Sequence, residues 1–304
     1  SDISEYVPSY KTKYTPEAES IKAAAVELAA AEKPVIYAGQ GIHYSKAWDE
    51  LKEIAELLNV PVTTSLEGKS AFNETHPLSI GSGGHATPLA VYHFLNDADL
   101  IFGIGCSFAI TSFGTRMPDN KKVIHATLDP MDLNKDVPAA LGLIGDAKLT
   151  LRALIDELKT LDLAKAQSRK ESTPADIKKV KDAWMAQWLP KLTSEQSPMT
   201  PYRVIYELNK LVDKQKVVIT HDAGSPRDQL VPFWESEAPL SYIGWGKTTQ
   251  LGYGLPLAMG AKLARPDHLC INVWGDAAIG FTGMDFETAV RERIPILSIL
   301  FNNF

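Results

Sequence analysis

The hydrophobic and polar positions in the first half of the chain form two kinds of alternating segment. Apolar residues at helical spacing predict helices over 17–32, 46–58 and about 145–161. Short runs that are apolar throughout predict buried strands at 34–38, 61–64, 98–105 and 122–128. Strands that alternate with helices and are apolar on both faces indicate a parallel sheet covered on both sides. We therefore expect residues 1–161 to form an α/β domain.

The pattern changes after residue 161 and again at residue 201. Residues 162–200 are rich in Lys, Glu, Ser and Pro, and their one amphipathic stretch, 175–189, contains Trp184 and Trp188. We interpret this segment as a linker with a surface helix that the two tryptophans dock onto a neighbour. From residue 201 onward a second α/β pattern follows, with helices predicted at 201–213, 255–264 and 286–293 and strands at 217–220, 269–273 and 296–301. The predicted fold class is thus α/β, with two doubly wound parallel-sheet domains.

Composition narrows the class of protein. The chain has 304 residues, enough for two domains, and 45% hydrophobic with 22% charged residues is typical of a globular protein. A net charge of −6 argues against nucleic acid and membrane surfaces as partners, because both attract clustered positive charge. There is no apolar run of about 18 residues and no signal-peptide pattern at the start. With only Cys106 and Cys270, no disulfide framework is expected, and the pattern favours a cytoplasmic location.

Candidate chemistry lies at the ends of the last two predicted strands. Gly275-Asp276-Ala277-Ala278 follows one strand and Asn302-Asn303 follows the next, so both groups are expected at the same edge of a parallel sheet. A glycine there allows backbone N–H groups to approach a phosphate closely. The oxygens of Asp276 and Asn303 are of the kind that bind Mg²⁺. The sequence thus predicts a metal–diphosphate site, and the alternative is that both side chains cap turns.

This segment resembles the diphosphate motif of the thiamine-diphosphate-dependent enzymes, in which Gly-Asp-Gly/Ala is followed at a fixed interval by Asn-Asn. The interval between Asp276 and Asn303 is the usual one for that family. Upstream, 250–264 resembles a glycine-rich stretch of the acetolactate-synthase-like branch. Segments 34–41, 74–78 and 99–105 resemble the middle domain of that branch, so the resemblance covers nearly the whole chain.

The resemblance implies roles for particular residues. Asp276 and Asn303 match the side-chain ligands of Mg²⁺, with a third ligand, a backbone carbonyl, expected just beyond residue 304. The backbone at Gly275, Ala277 and Ala278 would hold the diphosphate, together with the loop from Asp222 to Gly224.

Two further residues match positions that bind the thiamine part of the cofactor. Leu251 matches the large apolar residue that forces the cofactor to bend, so that its amino group can take a proton from the thiazolium carbon. The carbonyl of Thr249 would accept a hydrogen bond from that amino group. For Leu251, the alternative is plain core packing.

The implied domains are a middle domain (1–161), a linker (162–200) and a truncated C-terminal diphosphate-binding domain (201–304). The glutamate that activates the cofactor in this family belongs to a pyrimidine-binding domain, which we expect to be absent from these 304 residues. No catalytic residue is therefore assigned within this chain, which is interpreted as a fragment or as one chain of a split enzyme. The intact enzyme is expected to act on a small carbonyl substrate as a homodimer or homotetramer.

Relatives in this branch can hold FAD or an adenine nucleotide in the middle domain. The usual flavin-binding arginine is missing from Gly105-Cys106-Ser107-Phe108, and the usual first aspartate is missing from Thr127-Leu128-Asp129-Pro130. These changes remove charges suited to phosphate and ribose, so we expect FAD to be disfavoured as a cofactor.

The leading hypothesis is an enzyme, dependent on thiamine diphosphate and Mg²⁺, that decarboxylates or ligates 2-keto acids. One alternative is an acyl-CoA decarboxylase or lyase of the same family, because 280–284 also resembles the oxalyl-CoA decarboxylase and 2-hydroxyacyl-CoA lyase group. Another is a non-catalytic nucleotide-binding or assembly module. An NAD-dependent dehydrogenase is rejected, because Gly39-Gln40-Gly41 lacks the third glycine of the dinucleotide motif.

Overall fold

The structure, a computed structural model, describes residues 6–7, 12–244, 246 and 250–302. Two parallel sheets organise them, one in each half of the chain. All strand pairs in both sheets are parallel, and helices connect most of the strands. The predicted α/β class with two parallel-sheet domains is confirmed.

The first half contains a six-stranded sheet of order β3-β2-β1-β4-β5-β6. Its strands are β1 (Pro34–Ala38), β2 (Val62–Thr64), β3 (Ser79–Ser82), β4 (Leu100–Ile104), β5 (Lys122–Thr127) and β6 (Leu141–Ile144). Its helices are α1 (Ala18–Ala30), α2 (Gly41–Ser45), α3 (Trp48–Leu58), α4 (Leu89–Asp97) and α5 (Ala147–Leu158), with a short 3₁₀ turn at Pro130–Asp132. One core contains Leu51 and Leu154 and the other contains Val91, so the sheet is covered on both faces as its apolar strands require.

Two helices join the halves, α6 (Ala164–Ser168) and α7 (Ser172–Leu192). Near its start α7 places Ile177 in a core of the first half, and at its end it places Leu192 in the core of the second. Trp184 stacks on Phe233 with ring centroids 5.0 Å apart, which agrees with the predicted docking role of the linker tryptophans. The linker helix is therefore longer than the amphipathic stretch 175–189 and is shared between two cores.

The second half contains a four-stranded sheet of order β10-β9-β7-β8. Its strands are β7 (Val217–His221), β8 (Tyr242–Ile243), β9 (Leu269–Gly275) and β10 (Leu297–Phe301). Its helices are α8 (Pro201–Leu211), α9 (Ser225–Phe233), α10 (Gly254–Ala264), α11 (Asp276–Thr282) and α12 (Asp285–Arg291). Thr200 begins α8 as an N-cap, since its side chain accepts a hydrogen bond from the Arg203 backbone N–H at 3.2 Å.

Several elements depart from the sequence pattern. Strands β3, β6 and β8 were not predicted, because each has only two to four residues and too little apolar periodicity to stand out. Helix α9 was also not predicted, since it contains Pro226 at its start and Pro232 inside it. Within the described residues, no helix is long and apolar enough to cross a membrane, and the two cysteines are buried and form no disulfide.

Candidate functional site

The strand ends predicted to meet do lie side by side. Strands β9 and β10 are paired so that Gly275 is opposite Phe301, and Asp276 and Asn302 are the residues that follow the two strands. Asp276 is the first residue of α11 and is exposed at the carboxyl edge of the sheet. Asn303 and Thr249 lie outside the described residues, so the positions predicted for them are not described by the structure.

The Asp276 side chain makes no hydrogen bond or ion pair with any of the described residues. The N-cap of α11 is Gly275, which has no side chain to cap the helix, and Asp276 gives the first turn a negative charge that the helix dipole favours. The alternative that Asp276 caps a turn therefore has no hydrogen bond to support it. What the carboxylate offers instead is an open pair of oxygens at the edge of a parallel sheet.

Neither the backbone conformation nor the packing at Gly275 requires a glycine. Its backbone is extended, with φ −98° and ψ 169°, a conformation open to any residue. A β-carbon there would meet nothing nearer than the Pro226 side chain at 3.7 Å, an ordinary contact. Next along the chain, Ala277 is exposed and Ala278 is buried. The missing side chain thus leaves room beside Asp276 for another group to approach the backbone.

Asp222 is fully buried just beyond the end of β7. Its Oδ1 accepts hydrogen bonds from the backbone N–H groups of Ala223 at 2.9 Å and Gly252 at 3.0 Å, and its Oδ2 accepts from Gly254 at 3.0 Å. A carboxylate engaged by several backbone donors is held firmly in place. Asp222 thus ties the turn around Leu251 to the end of β7, and its carboxylate faces that turn.

Leu251 lies in a turn that is attached on two sides. Thr282 at the end of α11 donates its hydroxyl hydrogen bond to the Gly252 carbonyl at 2.7 Å, while Asp222 binds the adjacent N–H groups. The Leu251 side chain is half-buried and packs against the core cluster that contains Leu255 and Trp274. Core packing therefore accounts for one side of Leu251, and its other side remains accessible.

Gly224 follows Asp222 and begins α9 as its N-cap with φ +83°. This left-handed conformation favours glycine, and a β-carbon at this position would have no neighbour within 4 Å. Two residues further along, Pro226 lies against the Gly275 backbone. The segment from Asp222 to Pro226, which includes the start of α9, therefore borders the strand end that precedes Asp276.

His221 was not singled out from the sequence, although it ends β7 directly before Asp222. Burial lowers the pKa of His221 to about 4, so the imidazole is neutral near pH 7. Its Nδ1 lies 3.0 Å from the Asp222 carbonyl oxygen and 3.3 Å from the Tyr253 hydroxyl. A lone histidine after a strand gives no local signal, so only its neighbours reveal that it supports the Leu251 turn.

The described residues contain no group of three or more His, Cys, Asp or Glu that could bind a metal ion by itself. A cation at Asp276 would therefore need ligands from outside the described residues or from a phosphate. This is the pattern of Mg²⁺ sites, which usually take one or two carboxylates and share the ion with phosphate oxygens.

A separate cavity of about 930 Å³ lies at the carboxyl edge of the six-stranded sheet, next to Gly41, Ser107 and Asp129. Its charged lining is mostly acidic, with Glu67, Asp129, Asp132 and Asp146 against Lys13, which itself pairs with Asp146 at 3.1 Å. Such a lining repels the diphosphate of a dinucleotide. The charges that line this cavity therefore disfavour FAD there.

Comparison with known proteins places both halves in one family. The model of the thiamine pyrophosphate enzyme central domain matches residues 21–154, and the model of the C-terminal TPP binding domain of these enzymes matches residues 222–304. Thiamine pyrophosphate is another name for thiamine diphosphate. Together the two matches cover most of the chain.

Similar proteins include a probable acetolactate synthase large subunit of Methanococcus aeolicus, 32% identical over 93% of this chain and 48% of the relative. A probable acetolactate synthase large subunit of Methanocaldococcus jannaschii is 31% identical over 98% of this chain and 50% of the relative. The acetolactate synthase isozyme 3 large subunit of Escherichia coli K12 is 30% identical over 97% of this chain and 51% of the relative. The chain thus spans about half the length of the curated relatives it matches, and it belongs to the thiamine pyrophosphate enzymes.

Proposed function

We propose that this chain is the central and diphosphate-binding part of an enzyme, dependent on thiamine diphosphate and Mg²⁺, that makes or breaks carbon–carbon bonds next to a carbonyl. The observation that carries the proposal is the exposed Asp276 carboxylate at the carboxyl edge of β9, beside a glycine at a position where a side chain would meet no clash. An open acid next to approachable backbone N–H groups suits a cation shared with a diphosphate. The described residues therefore fit this cofactor.

In this proposal Asp276 and Asn303 bind Mg²⁺ through their side-chain oxygens. The backbone N–H groups of Ala277 and Ala278, at the start of α11, hold the diphosphate beside Gly275. The loop from Asp222 to Gly224 follows β7, which pairs with β9, and would help to hold the diphosphate. The Asp222 carboxylate itself holds the Leu251 turn.

The bound cofactor would supply a carbon nucleophile and an electron sink for the carbonyl substrate. Leu251 would press against the cofactor with its accessible side, and the Thr249 carbonyl would accept a hydrogen bond from the cofactor's amino group. The attachments of the Leu251 turn to Asp222 and Thr282 support this role, because a wedge must itself be held still to bend a ligand.

The acetolactate synthases among the similar proteins favour a 2-keto acid as the substrate class. We further propose that the intact enzyme is a homodimer or homotetramer. Phe281, Met284 and Val290 support this assembly, since they leave large apolar side chains exposed on and between α11 and α12, at 69%, 86% and 78% of their surface.

The direct test is calorimetric titration of thiamine diphosphate, with and without Mg²⁺, into the full-length protein. Asp276→Ala should weaken Mg²⁺-dependent binding more than about 100-fold, because even residues that only orient a metal ligand contribute about 10–100-fold. Asp285→Ala is the matched control, since Asp285 is likewise an exposed acid at the first position of a helix, α12. Equal binding by the Asp276 variant and wild type would refute the assignment, and a wild-type protein that binds no cofactor would favour the non-catalytic module.

A further inference from the structure

Glu74 is a buried acid in the loop between β2 and β3 of the first half. Lys69 Nζ donates to both of its carboxylate oxygens at 2.6 Å, and the Ser82 hydroxyl donates to Oε1 at 2.7 Å. The side chains of Lys69 and Glu74 are only 1% and 6% exposed. A buried ion pair loses much of its attraction to desolvation, so this pair is weak evidence for stability alone.

The contacts of Glu74 extend beyond its own domain. Its Oε2 accepts a hydrogen bond from the Ser236 backbone N–H at 2.7 Å, and its own N–H donates to the Ser236 carbonyl at 2.9 Å. Ser236 belongs to the second half of the chain, between α9 and β8. Lys181 Nζ, from the linker helix α7, donates to the Glu74 carbonyl at 3.3 Å. One residue thus binds the first domain, the linker and the second domain together.

From this junction a chain of buried side chains leads to the Leu251 turn. Lys69 Nζ lies 5.4 Å from the centre of the Tyr242 ring, and the Tyr242 ring lies 5.3 Å from the His221 ring. His221 is in turn 3.3 Å from the Tyr253 hydroxyl, which lies two residues beyond Leu251. Each of these four side chains is at least nine-tenths buried. The path is therefore a packed one, in which a shift at one end has little room to dissipate.

The same stretch of the first domain also makes close backbone contact with the second. A β-carbon at Gly246 would lie 2.1 Å from the Glu67 side chain. Within the second domain, a β-carbon at Gly244 would lie 2.0 Å from His221 Nε2. Only a residue without a side chain allows such approaches. Residues 65–74 thus contact the second domain at Ser236 and Gly246, both of which precede Leu251 in the sequence.

We propose that Glu74 is a positioning residue that fixes the Leu251 turn of the second domain relative to the first. Its two-way hydrogen bonding to Ser236 sets the course of the chain before β8, and the pair with Lys69 sets the packing of Tyr242 and His221. As far as cofactor affinity is concerned, this inference rests on the proposed function. As far as local structure is concerned, it stands independently.

The test compares Glu74→Gln with Ser82→Ala in the full-length protein. The first variant disturbs the bonds to Lys69 and Ser236, whereas the second removes a bond to the same carboxylate from within the first domain. Asp97→Asn is a surface control, because Asp97 pairs with Lys33 at 2.8 Å in an exposed setting. Amide hydrogen exchange is measured in peptides covering 236–244 and 250–254, alongside titration of thiamine diphosphate with Mg²⁺.

We expect Glu74→Gln to speed exchange in both peptides and to weaken cofactor binding between about fivefold and 150-fold, the usual range of coupling between distinct sites. Exchange in β1, β4 and β5 should be unchanged, and both controls should match wild type. The inference is overturned if Glu74→Gln leaves both peptides unchanged, or if Ser82→Ala has the same effects. A wild-type protein that binds no cofactor refutes the proposed function instead, and the exchange experiment still decides the positioning role.

Discussion

Replacement of Asp222 by alanine tests whether one buried carboxylate holds the Leu251 turn. The carboxylate accepts two hydrogen bonds from across the loop, from the N–H groups of Gly252 and Gly254, in addition to a local one from Ala223. Hydrogen bonds to a charged group contribute about 1.5–3 kcal/mol each, and buried donors left without an acceptor add to the loss. The two bonds across the loop alone predict a decrease of about 3–6 kcal/mol in the free energy of unfolding. Asp222→Asn keeps one acceptor oxygen and should lose about half as much.

Urea denaturation followed by circular dichroism measures this decrease. Asp276→Ala is the control, because that side chain is exposed and should change the free energy of unfolding by no more than about 0.5 kcal/mol. The two variants should therefore separate cleanly, with Asp222→Ala reducing stability and Asp276→Ala reducing only cofactor binding. A loss below about 1 kcal/mol for Asp222→Ala would show that the turn does not depend on these bonds.

Three further variants test other parts of the structure. His221 is buried and neutral, with a pKa of about 4 in the folded protein against about 6.5 in the unfolded chain, so the unfolded state binds more protons between these pH values. The free energy of unfolding should therefore fall by up to about 3 kcal/mol as the pH drops from 6.5 to 4. In a pH series of thermal melts, His221→Gln should show a smaller decrease over that range. Trp184→Ala should lower the free energy of unfolding by about 2–3 kcal/mol through loss of stacking on Phe233, whereas the exposed Met199→Ala should change it by less than about 0.5, and equal effects in chemical denaturation would contradict the docking role. Gly224→Ala should cost about 1 kcal/mol or more because φ is +83°, and a melting temperature equal to that of wild type would disprove this strain.

The parts of the fold that the sequence predicts well are the elements with a strong period. Strand β1 begins and ends at the predicted residues, 34 and 38, because it is a purely apolar run that starts with a proline and ends before a glycine. By contrast, β8 has two residues and α9 contains two prolines, so local preference gives little sign of either. These elements exist because neighbouring strands and helices supply the packing that their own sequences lack.

The candidate site likewise has residues that the sequence predicts and supporting contacts that it does not. Asp276 could be located from sequence because the order of elements alone fixes which strand ends share an edge of the sheet. The supporting contacts could not, since Glu74 and Ser236 are 162 positions apart and no short motif records that they bind each other. The inward-facing role of the Asp222 carboxylate was missed for a similar reason, because the glycines it binds are identified only by the folded turn.

The helix α7, which inserts Ile177 into one core and Leu192 into another, has a consequence for how the chain comes apart. A helix of 21 residues spans about 30 Å, and the two ends of this one pack in different domains. Unfolding of either core would remove the apolar contacts at one end of α7. The helix that the other core also packs against would then lose part of its support. The two domains should therefore unfold in a single cooperative transition, unlike domains that are joined by a slack tether.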